Sequence, residues 1–333
     1  MDNKLELIKR NTQEIINEDE LKKILKKKDC SAYIGFAPTG RLHVGHLIPL
    51  VKIIDFINAG FKFKFLIADL HAFLDDKKTP WKQLNLRSRY YKEAVKIIFK
   101  SFGVNPKKIE FVKGSDFQLS KDYMLDVLHL SGDLSLNRCK RAASEVVRFK
   151  EDPKLGGFIY PLMQILDPVY MNADVCFSGI DQRGIYMVGR EVLPKLKKRT
   201  LTCVFTPLLP GLSGGKMSAS DTKSKIDLLD DEKDIISKIK KTYCPLSVKN
   251  NGILAFIKHV IFPLKKEFKI SRDKKFGGDI LYDSYEALEK DFIDKKLHPA
   301  DLKFQLSKEL ISILKPIKEG LDEKKSLIER AYK

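Results

Sequence analysis

At 333 residues and 43% hydrophobic side chains, the chain has material for about two domains with real cores. Its 62 Lys and Arg against 44 Asp and Glu leave a net charge of +18, which favours a polyanionic partner, RNA or DNA first and a membrane surface second, unless the lysines only mirror a lysine-rich host proteome. The five cysteines are widely spaced without a CxxC, no segment nears the roughly 20 apolar residues of a membrane span, and the N-terminus is charged, so a disulfide frame, a zinc site, a membrane anchor and a signal peptide are all disfavoured.

In chain order, residues 3–28 read as one or two charged helices. A strand over Ala32–Phe36 breaks at Pro38-Thr39-Gly40 and leads into a helix at 43–59 with the stripe Leu47, Leu50, Val51, Ile54 and Ile57, closed by Gly60. Strands at 61–68 and 109–112 flank a helix at 80–102 with the stripe Leu84, Tyr91, Val95, Ile98 and Phe102. Helices are predicted at 121–131 and 137–150, then Gly156-Gly157 interrupts before a helix at 158–170. Strands at 175–177 and 202–206 bracket a helix ending at Val192, and Pro207–Gly215 reads as a loop. Such alternation implies a parallel sheet with helices on both faces, with ligands beyond the C-terminal strand ends. From about 226 strand patterns vanish and charged helical ones dominate.

Two stretches carry chemistry. His43-Val44-Gly45-His46 sits where a strand turns into a helix, where backbone N–H groups and the helix dipole cradle anions. By spacing alone the histidines are open to three readings: core residues, metal ligands or phosphate contacts. The metal reading lacks a third ligand nearby. Lys216-Met217-Ser218-Ala219-Ser220, after the last strand, offers an ammonium and two hydroxyls to a polyphosphate.

The pair HVGH and KMSAS resembles the signatures of class I aminoacyl-tRNA synthetases. The ordered run AYIGFAPTGRLHVGH, IADLHAFLDD, KTPW, KGSDFQLSKDY, YPLMQILD, SGIDQR, KMSAS, FGGD and LHPADLK resembles, over nearly the full length, the tyrosyl members of archaeal and eukaryotic type. The resemblance implies an α/β fold, a Rossmann-like parallel sheet with helices on both faces followed by a mostly α-helical C-terminal domain. Residues 1–225 would be the catalytic domain, with an acceptor-end and dimer insertion at about 115–160, and 226–333 the anticodon-binding domain.

It also implies roles. His43, His46, Lys216, Ser218 and Ser220 would serve catalysis. Tyr33 and Asp167 would hold a phenol, and Tyr160, Gln164 and Gln182 the ammonium end of tyrosine. Gly35, Gly45, His46, Asp181, Lys216 and Met217 would bind ATP, with Asp181 on the ribose, and Arg141, Arg183, Phe276, His298 and Asp301 would meet tRNA. Asp accepts from the N1–H and N2–H₂ edge of guanine, and an aromatic on a basic glycine loop suits stacking on an unpaired base. The implied substrates are L-tyrosine, ATP with Mg²⁺ and tRNA(Tyr), in a cytoplasmic homodimer without a protein-held metal, a membrane or DNA. The stripes of helices 80–102 and 121–131 are candidate dimer contacts.

Three positions depart from the family pattern. Ala219 stands for the second lysine of KMSKS, a charge that Lys223 or a bound cation would have to replace; Gly184 stands where many relatives carry lysine; and no further RNA-binding module follows the helical domain. A tryptophanyl-tRNA synthetase, a cofactor nucleotidyltransferase and a non-catalytic synthetase-like RNA-binding protein are the competing readings.

Overall fold

A computed structural model describes residues 2–147, 149–208, 210 and 225–333. Helix α1 (Asp2–Lys9), strand β1 (Glu14–Ile16) and helix α2 (Glu18–Ile24) precede strand β2 (Ser31–Phe36). A 3₁₀ turn at Val44–His46 opens α3 (Leu47–Asn58), followed by β3 (Lys62–Ile67), α4 (Asp69–Leu74), α5 (Leu84–Ser101) and β4 (Ile109–Lys113). Then come α6 (Lys121–Asp133), α7 (Leu136–Ala143), α8 (Gly156–Tyr170), β5 (Val175–Gly179), α9 (Arg183–Val192) and β6 (Thr202–Thr206). The C-terminal part holds α10 (Glu232–Lys241), α11 (Gly252–Phe256), a π-helical turn at Ile257–Ile261, α12 (Phe262–Lys265), β7 (Phe268–Ile270), β8 (Ile280–Tyr282), α13 (Tyr285–Ile293), α14 (Pro299–Asp322) and α15 (Lys325–Ala331).

The strands form a six-stranded sheet in the order β1-β6-β5-β2-β3-β4. Five are parallel. They make up the expected Rossmann-like parallel sheet, to which the edge strand β1 adds antiparallel to β6, with Ile16 opposite Cys203. The predicted helices over 3–28 are interrupted by this strand, whose three residues are too short a run to show a period of two among charged neighbours.

Alternation along the strands divides the core into two faces. Ala32, Ile34, Phe63, Phe65, Val175 and Phe177 pack on one side. Tyr33, Leu66, Cys176, Cys203 and Phe205 pack on the other, against α6, α8 and α9. Helices therefore cover both faces, as expected. The first cluster continues without a break into Leu254, Leu302, Leu306 and Leu310 of the C-terminal helices.

Several predicted elements shift. The helix expected over 137–150 ends at Ala143, and Gly156-Gly157 open α8 rather than interrupt the chain. Beyond 226 the strand pattern does not vanish: β7 and β8 pair as a short antiparallel ribbon. The buried face of α3 is Leu47, Leu50, Val51, Ile53 and Phe56, with Ile54 and Ile57 only half-buried. That face takes in Lys52, because its ammonium caps α1 by donating to the carbonyls of Leu7 and Ile8, both at 2.8 Å. The α5 stripe is covered by α14 and α15 of the same chain, which removes it as a dimer contact.

Gly184 has a steric cause. A Cβ there would lie 2.5 Å from the Ala142 carbonyl oxygen of α7, so no side chain, lysine included, fits without parting the two helices. Gly184→Ala is expected to destabilise the fold by about 1–3 kcal/mol, seen as a lower urea midpoint at unchanged slope. An unchanged midpoint would show that the α7–α9 contact yields freely.

Candidate active site

Beyond the C-terminal ends of β2 and β5 lies a cavity of about 440 Å³. Helix α8 sends Tyr160, Gln164 and Asp167 into it, because spacings of four and three put them on one helical face. Tyr33 enters from β2, and Gly35, two residues on, leaves room for it: a Cβ at Gly35 would sit 3.1 Å from the Tyr33 hydroxyl. The Tyr33 and Tyr186 side chains line the cavity together, and burial drives both phenol pKa values well up.

Asp167 is only 1% exposed, and desolvation lifts its pKa to about 7. The lift is opposed by two donors to Oδ1, the Gln118 amide at 2.7 Å and the Tyr123 hydroxyl at 2.8 Å. His71 Nε2 stands 3.7 Å from Oδ2, but burial holds the imidazole near pKa 4, so it faces Asp167 as a neutral ring. Gln118 reaches Asp167 because the 3₁₀ turn at Gly114–Asp116 folds tightly under it: a Cβ on Gly114 would meet Gln118 Oε1 at 2.5 Å. The Ser115 amide fastens that turn to Asp69 Oδ1 at 2.9 Å.

Gln118, Tyr123, His71 and Tyr186 are the residues that sequence reasoning missed. Their strings, KGSDFQLSKDY, IADLH and the helix after SGIDQR, are legible, but nothing in spacing alone says which member points inward. Gln182 is where expected, and its Oε1 accepts from the Gln164 amide at 2.9 Å. Asp181 lines the same cavity, and Gly179 makes space for it, since a Cβ there would lie 2.5 Å from Asp181 Oδ1.

At the other end the histidine turn is more closed than the sequence suggests. His43 Nδ1 accepts the Gly45 amide and His46 Nδ1 accepts the His43 amide, each at 3.1 Å. The Val44 and His46 amides go to the carbonyls of Ile226 and His43. The open backbone cradle expected for an anion is thus occupied. For His43 the bond from the Gly45 amide places the proton of the neutral ring on Nε2, the nitrogen left to act as donor, whereas His46 Nδ1 also faces the His43 carbonyl at 3.3 Å and can either accept or donate there. Burial lowers the pKa of His43 to about 2 and of His46 to about 4, so both rings are neutral.

The segment between β2 and this turn has no regular structure, yet its backbone is satisfied by side chains. Thr79 donates to Pro38, Arg87 to Thr39, and Tyr91 and Tyr332 both donate to Gly40, at 2.7 and 2.9 Å. The Leu42 amide donates to the Tyr90 hydroxyl at 3.1 Å.

The remaining expected residues do not join this cavity. Arg141 is exposed on α7, and Arg183 makes a forked pair with Glu14 at 2.6 and 2.9 Å. Phe276 is 62% exposed between β7 and β8, with the Lys275 ammonium 5.0 Å from its ring centre. His298 caps α14, its Nδ1 accepting the Ala300 amide, and Asp301 occupies the first turn of that helix. Lys216, Met217, Ser218, Ala219, Ser220 and Lys223 lie outside the described residues.

With this geometry in hand, comparison with known proteins is informative. The family described as tRNA synthetases class I (W and Y) matches residues 25–315. A tyrosine–tRNA ligase of Haloarcula marismortui is 45% identical over 99% of this chain and 96% of its own length. The cytoplasmic tyrosine–tRNA ligase of Danio rerio is 46% identical over 99% of this chain, which spans 63% of that longer protein. In structure, a tyrosyl-tRNA synthetase of Archaeoglobus fulgidus complexed with L-tyrosine superposes with a TM-score of 0.90 at 40% identity, covering 96% of this chain and 98% of the other.

The Asp167 shift has a measurable sign. Its folded pKa lies above the ordinary value of 3.8, so between about pH 4 and 7 the folded state binds the extra proton and stability falls as pH rises. Between pH 5 and 8 urea unfolding should therefore show Asp167→Asn gaining about 1–3 kcal/mol relative to the parent. A pH-independent difference would mean that the carboxyl titrates in its ordinary range.

Proposed function

The chain belongs to the class I tRNA synthetases of the tryptophan and tyrosine type, and we propose that it activates L-tyrosine with ATP and passes it to the 3′-terminal ribose of tRNA(Tyr). The observation that carries the choice of amino acid is the polar end of the cavity. A phenol meets both an acceptor and a donor there, Asp167 oriented by Gln118 and Tyr123, and Tyr33 with Tyr186 beside it in the cavity wall. A site that satisfies an OH in this way rejects side chains without one, because its own buried polar groups are stranded. An indole offers no hydroxyl to that pair, which weighs against the tryptophan alternative.

The mechanism needs no protein nucleophile. Tyr160, Gln164 and Gln182 receive the ammonium, and the tyrosine carboxylate attacks the α-phosphate in line, releasing pyrophosphate and forming tyrosyl adenylate. Asp181 holds the ribose hydroxyls, and the neutral rings of His43 and His46 stand at the phosphate, with His43 Nε2–H donating as charge develops. ATP enters with Mg²⁺ as part of the substrate. Lys216, Met217, Ser218 and Ser220 serve the same step. The terminal ribose hydroxyl of the tRNA then attacks the mixed anhydride and expels AMP.

Residues 1–225 act as the catalytic domain and 226–333 read the anticodon, Phe276 by stacking and Asp301 by accepting from a guanine edge, with His298 beside it. Arg141 and Arg183 face the acceptor end. Free cysteines, mostly buried, and relatives named as cytoplasmic support a cytoplasmic location. Among the described residues no helix is long and apolar enough to cross a membrane. The protein works as a homodimer joined through the outer face of α6, where Leu125 and Leu128 are 53% and 62% exposed beside Leu119.

An amino-acid panel in the ATP–pyrophosphate exchange assay tests the central claim. Tyrosine is expected to support exchange and tryptophan to give none; exchange with tryptophan alone overturns it. For the assembly, light scattering is expected to give twice the chain mass, and Leu128→Arg to halve it. A parent that runs as a monomer removes the dimer.

A further inference from the structure

A nucleotide triphosphate carries about four negative charges, and full cations bind such groups far better than neutral donors do. Yet no lysine or arginine stands among the described residues that line the cavity, which instead presents the carboxyls of Asp167 and Asp181. The two histidines are neutral and the amides of their turn are taken.

Two cations stand immediately beside that turn. The segment at 226–227 meets it: His43 bridges Asp227, and the Val44 amide donates to the Ile226 carbonyl at 3.1 Å. Lys225 is the next residue back along that segment and is only 7% exposed. Its ammonium is held loosely, by the Arg41 carbonyl at 3.5 Å and Asp227 Oδ2 at 3.7 Å. Arg41 shares the same carboxylate oxygen at 3.1 Å, while Oδ1 accepts the Leu229 amide. One buried carboxylate thus holds two positive charges next to the histidines, with a surplus of one. The field of Lys225 is felt there, since it helps to lower the pKa of both imidazoles.

We propose that Lys225, with Arg41 as its exposed partner and Asp227 as their common tether, forms the cationic subsite for the β- and γ-phosphates of ATP and for the departing pyrophosphate. The subsite deepens the function proposed above and rests on it for the identity of the nucleotide. Lys225 shifts its ammonium from its loose partners to the phosphate oxygens, and Asp227 keeps the pair in place between turnovers. No bond is made or broken by these groups. They stabilise charge on the leaving group, and that charge is absent from the tyrosine end of the site.

The test is calorimetric titration of the full chain with inorganic pyrophosphate and with ATP, beside L-tyrosine as a control. Lys225→Met is expected to weaken both phosphate ligands at least tenfold and to leave tyrosine within twofold, while Lys225→Arg stays within about threefold of the parent. Since Lys225→Met removes one of the two cations at a buried carboxylate, the double variant Lys225→Met with Asp227→Asn separates binding from folding. Weak pyrophosphate binding in the double variant supports the subsite; parental binding overturns it, because the lysine would then serve only to neutralise Asp227. A parent that binds pyrophosphate and ATP but shows no tyrosine-dependent exchange sinks the proposed function and leaves the subsite standing, whereas exchange unaltered by Lys225→Met sinks the subsite alone.

Discussion

The desolvated carboxyl of Asp167 is the constraint around which the catalytic half is arranged. A buried carboxyl is tolerable only when its oxygens are hydrogen-bonded or its proton is retained. Here both remedies are in use, and they recruit distant parts of the chain. Gln118 comes from the segment after β4 and Tyr123 from α6, while the neutral ring of His71 from α4 stands beside the other oxygen without bonding it. The Gly114 turn exists in its tight form so that Gln118 can arrive. The carboxyl proposed to receive a substrate hydroxyl therefore also ties α8 to α6 and to the segment after β4 through the same few bonds.

The nucleotide side follows a different rule. Its loop carries no secondary structure, and each exposed backbone group finds a side chain from a helix that was going to be there anyway: Tyr90, Tyr91 and Arg87 from α5, Thr79 just before it. The histidine turn completes itself by reciprocal capping, which spends the ring nitrogens nearer the backbone and leaves the outer ones. Preorganisation of this kind needs no rearrangement when the phosphate arrives, and that is where electrostatic catalysis gains its advantage.

Much of this was legible in the sequence. Helical spacing on α8 placed Tyr160, Gln164 and Asp167 together, and alternating strands and helices announced the two-faced sheet. What escaped was decided by tertiary contact. Glu14–Ile16 is a strand only because β6 offers an open edge, and α7 stops at Ala143 although the residues beyond it suit a helix. Gln118 and Tyr123 are ordinary polar residues until Asp167 needs donors. Lys52 breaks the apolar run of α3 in the sequence, yet it is buried because α1 ends on it. Gly184 read as a lost lysine, whereas it records how closely two helix backbones approach.

The bond from the Tyr332 hydroxyl to the Gly40 carbonyl joins residues 292 positions apart, and Arg87 reaches the Ala331 carbonyl across 244. Contacts of such long range close late in folding, because the loop entropy must be met before they form. During synthesis the loop around Gly40 emerges 292 residues before Tyr332. The loop that leads into the histidine turn is thus fully held only when α14 and α15 have docked on α5, so a chain stalled before those helices carries the cavity with one of its walls unbraced.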